Sequence, residues 1–146
     1  MGWFRYPLGL IVATLFMTVL GVIIQTQFVL AALSDAGAVI GMTDRLTMTR
    51  DDLMGLGPLY AVFILIGFGI AFSVSAILLR FVKLPRAIVY AVAGAVCMFV
   101  MLALMREVFF GVPVIAGARS LAGELAQTVC GAAAGWLYAA LTARKS

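Results

Sequence analysis

The chain has 146 residues, of which 65% are hydrophobic and 11% are charged, with a formal net charge of +4 and no histidine. Soluble domains contain about 45–50% apolar and about 25% charged residues, so this composition excludes an ordinary soluble protein and indicates a polytopic membrane protein of one domain. The absence of histidine also excludes bis-histidine haem ligation and removes the commonest general base.

Four apolar runs are long enough to cross a bilayer core of about 30 Å, which needs roughly 20 helical residues. They extend over about 7–32, 57–79, 86–109 and 119–142. The first run is longer than a typical signal-peptide core of about 7–15 residues, so we interpret it as a retained helix. The predicted fold class is all-α, an integral membrane four-helix transmembrane bundle in which residues 1–146 form a single transmembrane domain. Short links at 81–85 and 111–118 predict antiparallel neighbours.

Basic residues lie on one predicted side of these runs, and acidic residues lie on or near the other. The basic residues on the first side are Arg5, Arg80, Lys83, Arg86, Arg144 and Lys145, the six acidic residues are Asp35, Asp44, Asp51, Asp52, Glu107 and Glu124, and the other four basic residues lie on or near the acidic side. By the positive-inside rule we expect both termini in the cytoplasm, with the chain in the bacterial inner membrane. Because the basic residues flank apolar spans and form no groove with aromatic residues, we expect no nucleic-acid partner.

Tyrosine and tryptophan residues occur near both predicted boundaries, where their amphipathic rings favour the headgroup level. The residues toward the inner boundary are Trp3, Tyr6, Tyr90, Trp136 and Tyr138, and the aromatic residues toward the outer one are Tyr60, Phe109 and Phe110. We therefore expect these side chains to form interfacial belts on the two sides of the membrane.

The connection at 34–56 is the one long loop, and it is acidic. Thr49 is followed three residues later by Asp52, a spacing typical of a helix N-cap and its first turn. The pattern predicts a short interfacial helix from Arg50 to Met54, ended by Gly55 and the Gly57-Pro58 pair. This helix would form either a lid or partner contact on the outer face, or a connector packed against the bundle.

Small and polar residues aligned on one face indicate the buried side of a membrane helix, because lipid supplies no hydrophobic drive for helices to associate. Gly131 and Gly135 of the fourth run form a GxxxG motif within a polar stripe at helical spacing. We expect contact between the first and fourth runs, with the second packed closely against the bundle. The predicted helix-packing residues are Gly67, Ala71, Ser75, Gly131 and Gly135, and the first run carries a similar row at Thr14, Thr18, Gly21 and Gln25.

A charge within a spanning helix costs about 3 kcal/mol on the insertion scale and by default suggests a site with a partner. At a rise of about 1.5 Å per residue, Arg106, Glu124 and Gln25 fall at the same depth near the outer boundary. Glu107 points about 100° away from Arg106, with Arg119 as one candidate partner. The candidate ligand or ion site comprises Gln25, Arg106, Glu107, Arg119, Glu124 and Gln127. The same residues also fit a structural lock, in which an ion pair near the interface joins two helices.

The two cysteines give no sign of a metal or cofactor. Cys97 and Cys130 lie within apolar runs, without CxxC spacing and without any histidine nearby. The methionines are more typical of soft core packing than of copper ligands. We therefore expect no metal, no cofactor and no disulfide framework.

Three functions are consistent with these patterns. The first is a non-catalytic subunit or scaffold of a homo- or hetero-oligomeric membrane complex, because the small-residue stripes exceed what one four-helix core needs. The second is a small oligomeric transporter or channel with an Arg106/Glu124 site near the outer leaflet. The third is an enzyme acting on a lipid, with Glu124 or Glu107 as acid or base. The expected partners are membrane lipids and either further copies of the chain or a larger membrane protein complex.

Overall fold

The structure is a computed structural model that describes residues 2–108 and 120–143. Within these ranges all regular secondary structure is helical, which confirms the all-helical prediction. The helices are α1 (Arg5–Asp35), α2 (Met42–Gly55), α3 (Gly57–Leu78), α4 (Arg86–Val108) and α5 (Leu121–Thr142). α1, α3, α4 and α5 occupy the positions of the four predicted runs, whereas the predicted link at 111–118 lies outside the described residues.

Three helices in the described ranges, α1, α3 and α4, are long and apolar enough to cross a membrane. This supports a membrane-embedded protein. The sequence predicts α5 as a fourth span, but α5 is not among these three helices. Its lower apolar content comes from residues such as Glu124 and Gln127, and both of these side chains are buried inside the protein.

The four long helices pack in the cyclic order α1, α3, α4, α5, with the most extensive contact between α4 and α5. α2 packs against α1 and α3. The core between the long helices is apolar, and its fully buried side chains include Met17, Ile64, Phe68, Met98 and Ala134. Large apolar side chains also cover the outer faces of the long helices, as expected for helices surrounded by lipid.

α4 and α5 approach so closely that their backbones are in contact. A Cβ atom added to Gly135 would collide with the carbonyl oxygen of Tyr90, and one added to Gly131 would lie 2.5 Å from the carbonyl oxygen of Gly94. Gly131 and Gly135 therefore pack against α4, and Gly94 is the partner that the sequence pattern did not single out. The close approach is possible because none of the three glycines carries a side chain.

α1 and α5 are also in contact, as the sequence predicts. A Cβ atom added to Gly9 would lie 2.8 Å from Cγ2 of Thr142, and one added to Gly21 would lie 2.9 Å from Oε1 of Gln127. The polar stripe of α5 is thus divided between two neighbours, since its glycines face α4 while Gln127 and Thr142 face α1.

The small residues of α3 face the interior. A Cβ atom added to Gly67 would lie 2.9 Å from Sγ of Cys97, so this glycine allows α3 to approach α4. Ser75 is buried, and its hydroxyl donates a hydrogen bond of 2.8 Å to the carbonyl oxygen of Ala71. Ala71 is partly buried and packs against the apolar core.

The expectation that Tyr60, Tyr90 and Tyr138 form interfacial belts is wrong, because all three side chains are buried within the protein. Near the beginning of α1, the rings of Tyr90 and Tyr138 join that of Phe72. The centroids of Phe72 and Tyr138 are 4.4 Å apart in a stacked arrangement, and Tyr90 meets Phe72 edge-on at 5.5 Å. Packing among helices thus places these rings inside, where offset and edge-on aromatic contacts stabilise the core.

The long connection contains a longer helix than the sequence predicts. α2 spans Met42–Gly55, and Thr49 lies inside it, donating its hydroxyl proton to the carbonyl oxygen of Arg45 at 2.7 Å. The helix begins instead at Gly41, whose backbone N–H donates to the Asp44 carboxylate at 3.0 Å. An acidic group at the third helical position satisfies a free N–H and suits the positive helix end, so Asp44 performs the role expected of Thr49 and Asp52.

Arginine side chains tie the beginning of α1 and the beginning of α4 to the end of α5. The Arg5 guanidinium donates to the carbonyl oxygen of Ala143 at 2.6 Å, and the Arg86 guanidinium donates to the hydroxyl of Thr142 at 2.6 Å. These three helix ends therefore lie together at one end of the molecule, here called the basic end.

We expect Gly135→Ala to destabilise the fold, because its new methyl group would overlap the α4 backbone, which cannot move aside as a flexible side chain could. Overpacking of this kind costs about 1–3 kcal/mol, measured as a lower unfolding temperature in detergent. Gly69→Ala is the matched control, since a Cβ there meets nothing within 4 Å. Equal unfolding temperatures for the two variants would contradict the backbone contact.

Candidate functional site

The charged pair at the end opposite the basic end joins α4 to α5. Nη2 of Arg106, in the last turn of α4, lies 3.1 Å from Oε2 of Glu124, in the first turn of α5. The two side chains are thus level and paired, as their sequence positions predict. Glu124 is only 9% exposed, whereas the Arg106 side chain is 41% exposed, so the pair has one buried and one accessible partner.

Gln127 connects three helices. Its amide nitrogen donates to the carbonyl oxygen of Gly21 in α1 at 2.8 Å, and its amide oxygen accepts a hydrogen bond of 3.0 Å from the Tyr60 hydroxyl in α3. Gln127 is 1% exposed. Gly21 must be small here, since an added Cβ would lie 2.8 Å from the Tyr60 ring. Both ends of the buried amide are therefore satisfied, which is the condition for keeping a polar group in an apolar interior.

Gln25 lies one helical turn beyond Gly21 on α1, toward the level of Glu124. Its side chain is 7% exposed, and its amide oxygen is buried without a hydrogen-bond partner. The hydroxyl oxygen of Thr14, deeper in α1, is also buried and unpartnered. An unsatisfied buried polar atom costs about 1–3 kcal/mol, so the amide oxygen of Gln25 is a candidate for binding an additional partner.

Of the other two predicted site residues, the structure describes only Glu107. Glu107 is exposed near the end of α4, and no ion pair joins it to another described residue. Arg119, the proposed partner of Glu107, lies outside the described residues. The structure therefore brings together Arg106 with Glu124 and, one turn deeper on α5, Gln127 with Gly21.

Tyr60 is a site residue that sequence reasoning missed. It closely follows Pro58 at the start of α3, a position that resembles an interfacial belt in the sequence. Its inward direction depends on how α3 rotates against α1 and α5, and a lone tyrosine in the sequence does not reveal that rotation. The only signal in the sequence was that Tyr60 and Gln127 are both polar residues within apolar runs, so each needs a hydrogen-bond partner when it is buried.

α2 is held over this end of the molecule by polar contacts with α1. The Thr26 hydroxyl lies 2.7 Å from a carboxylate oxygen of Asp52, and Arg45 donates to the amide oxygen of Gln27 at 3.2 Å. Thr49 also accepts from the Gln27 amide nitrogen at 3.5 Å. The acidic connection is thus attached to the C-terminal part of α1 by side-chain hydrogen bonds, and its contact is more polar than the apolar packing between the long helices.

The described residues contain no cluster of three or more histidine, cysteine, aspartate or glutamate side chains that could hold a metal ion. Cys97 and Cys130 are free thiols, partly buried and buried respectively. The arrangement consists of the Arg106/Glu124 ion pair, the Gln127 amide with both of its ends hydrogen-bonded, and the unpartnered amide oxygen of Gln25. It can fix the relative positions of helices, and it can offer an oxygen ligand at Gln25.

We expect the two buried glutamines to respond differently to the same substitution. Gln127→Met would leave the Tyr60 hydroxyl without a partner, remove the side-chain hydrogen bond to the Gly21 carbonyl and lower the stability by about 1–3 kcal/mol. Gln25→Met would remove an unpartnered oxygen, so its stability should equal or exceed that of the parent chain. Thermal unfolding in detergent measures both, and a larger loss for Gln25→Met would contradict the observed hydrogen bonding.

We expect a modest coupling between Arg106 and Glu124 in a double-mutant cycle. Arg106→Gln and Glu124→Gln should each destabilise the chain, and the double variant should lose less stability than the sum of the two. Because the Arg106 side chain is accessible to screening, the coupling should lie at the lower end of the range of about 0.5–3 kcal/mol. Strict additivity of the three unfolding free energies would show that the pair contributes nothing.

Comparison of the chain with protein-family models, with curated proteins and with solved structures finds no match in any of the three. Its function must therefore be inferred from the geometry and chemistry of its own residues.

Proposed function

We propose that the protein is a four-helix transmembrane bundle of the bacterial inner membrane with both termini in the cytoplasm. Three span-like helices support the proposal, together with the position of α5 between α1 and α4 and its 22-residue length. The gathering of Arg5 and Arg86 at one end agrees with the positive-inside rule. α5 would tolerate its polar residues because they face other helices and not lipid.

Within that membrane, we propose that the protein is a non-catalytic subunit or scaffold of a homo- or hetero-oligomeric complex. The observation that carries this proposal is α2, which is attached to α1 by polar contacts and yet exposes Met42, Leu46 and Met54. These side chains lie outside the span-like helices, where apolar exposure is typical of a surface that binds another protein or a membrane surface, and we propose a protein partner.

The interior supports a structural role. The glycines of α5 are in contact with α4, and Gln127 and Glu124 have partners within the chain. The small-residue stripes, which in the sequence suggested contacts with other subunits, therefore form contacts between helices of the same chain. The GxxxG motif is therefore occupied by α4, and α2 carries the surface that we propose for the partner.

The test is native mass spectrometry of the protein released in mild detergent. We expect an assembly of two or more copies, or a complex of fixed composition, that dissociates in the triple variant Met42→Ala, Leu46→Ala and Met54→Ala. The matched control replaces three exposed apolar residues of α3, Val62→Ala, Ile66→Ala and Ile70→Ala, and should leave the assembly intact. A lone monomer in the parent chain would refute the subunit proposal, and an unaffected assembly in the α2 variant would refute the role of α2.

A second function, a small oligomeric transporter or channel, is favoured by one observation. The unpartnered amide oxygen of Gln25 lies toward the level of the Arg106/Glu124 pair, whose arginine is accessible. Such an oxygen and a carboxylate could bind or relay an ion. Glu124→Gln should then abolish proton- or cation-dependent flux in liposomes, while Glu107→Gln, which removes the same charge from an exposed position, should not. Unchanged flux in Glu124→Gln would remove this alternative.

A further inference from the structure

A groove lies between α1 and α3 at the basic end of the molecule and has a volume of about 290 Å³. It forms because α1 packs on α5 through Gly9 near its beginning and reaches α3 only farther along, where Gly21 meets Tyr60. The walls are Tyr6, Pro7 and Leu10 on α1 and Gly69, Ser73 and Ala76 on α3. Its volume is close to the lower limit of about 300 Å³ for small-molecule sites.

The inner surface of this groove is mainly apolar. A Cβ atom added to Gly69 would meet nothing within 4 Å. The Ser73 hydroxyl donates a hydrogen bond of 2.6 Å to the carbonyl oxygen of Gly69 in its own helix. The back of the groove is the aromatic group of Phe72, Tyr90 and Tyr138, whose rings are in mutual contact. Such a surface matches the polarity of a hydrocarbon chain.

The guanidinium group of Arg86 lies against the back of the groove, and that of Arg5 lies at the same end of the molecule. The Arg86 guanidinium carbon lies 5.2 Å from the ring centroid of Tyr90, and its Nε is buried without a hydrogen-bond partner. Arg5 immediately precedes the groove residue Tyr6 and is held against Ala143, while Arg86 is held against the adjacent residue Thr142. Two like charges are therefore held against two consecutive residues, the last residue of α5 and the one that follows it.

Nothing among the described acidic side chains compensates these two cations. All six acidic residues lie away from the basic end. Asp35 ends α1, Asp44, Asp51 and Asp52 lie in α2, Glu107 is near the end of α4, and Glu124 is near the beginning of α5. Arg80 and Lys83, in the link between α3 and α4, add further positive charge at the basic end. An apolar groove beside an uncompensated cationic rim is complementary to an amphiphile with an anionic head. Guanidinium groups bind phosphate oxygens with strong, charge-assisted hydrogen bonds.

We propose that this groove binds an anionic glycerophospholipid, with its phosphate at Arg5 and Arg86 and one acyl chain along Gly69, Ser73 and Ala76. A transmembrane helix of a partner could fill the apolar part of the groove but would leave the two guanidinium groups without a counter-charge. An anionic lipid provides both the hydrocarbon chain and the negative charge. The inference is independent of the subunit function, since it concerns the opposite end of the molecule from α2.

The experiment uses the full chain purified in detergent, with phosphatidylglycerol and phosphatidylcholine of identical acyl chains as probes. Native mass spectrometry counts bound lipid, and thermal unfolding measures the stabilisation that each lipid provides. We expect one phosphatidylglycerol to remain bound and to raise the unfolding temperature more than phosphatidylcholine does. Equal binding and equal stabilisation by the two lipids would overturn the proposal.

Two sets of variants separate the headgroup from the chain. Arg5→Gln and Arg86→Gln should each weaken phosphatidylglycerol binding by about tenfold or more, as expected for the loss of a charge-assisted hydrogen bond. Arg50→Gln removes the same charge from an exposed position on α2 and should leave binding unchanged. If Arg86→Gln fails to fold because its contact with Thr142 is lost, Arg5→Gln alone decides the role of the headgroup.

The groove itself is tested by filling it. Ala76→Leu should displace the bound phosphatidylglycerol, whereas Ala133→Leu, an equal enlargement at an exposed position of α5, should retain it. Retention of phosphatidylglycerol in a folded Ala76→Leu variant would overturn the proposal. So would a loss of self-association in Ala76→Leu with lipid binding intact, because the groove would then hold a helix of a second copy.

Discussion

The backbone contact between α4 and α5 is the constraint on which the rest of the structure depends. In lipid, helices gain little from hiding apolar surface, so their association depends on how closely their backbones approach and on the polar groups they share. Gly94, Gly131 and Gly135 allow this approach, and any side chain at Gly135 would collide with the α4 backbone. The contact sets the rotation of α5 and thereby directs Glu124 toward Arg106 and Gln127 toward α1.

The rotation of α5 gives two buried polar side chains, Glu124 and Gln127, their partners on other helices. Gln127 reaches both the Gly21 carbonyl and the Tyr60 hydroxyl, which makes one side chain the junction of three helices. Gln25, on the same face of α1, has no equivalent neighbour for its amide oxygen. Gln127 is therefore a structural contact because its amide is fully hydrogen-bonded, whereas Gln25, with an unpartnered amide oxygen, is a candidate ligand-binding group.

The two ends of the molecule have opposite character. One end carries α2 with its aspartates, attached to α1 through Thr26 and Gln27. The other gathers Arg5 and Arg86 around the end of α5, beside a groove lined by small residues and backed by aromatic rings. This polarity is relevant to both proposals, since a protein partner is expected at the first end and an anionic lipid at the second.

The sequence by itself determined the helical class, the positions of the long helices and the level of Arg106 with Glu124, because apolar run length and helical rise are local properties. Only the tertiary structure decided which helix each face meets. It directed the GxxxG motif to α4, turned Tyr60, Tyr90 and Tyr138 inward, and placed Arg5 beside Arg86, since these outcomes depend on helix rotation and on residues far apart in the chain. The extent of α2 was also beyond the sequence pattern, because Gly41 with Asp44 and the Thr49 position both resemble helix starts, and contacts with α1 favour the longer helix.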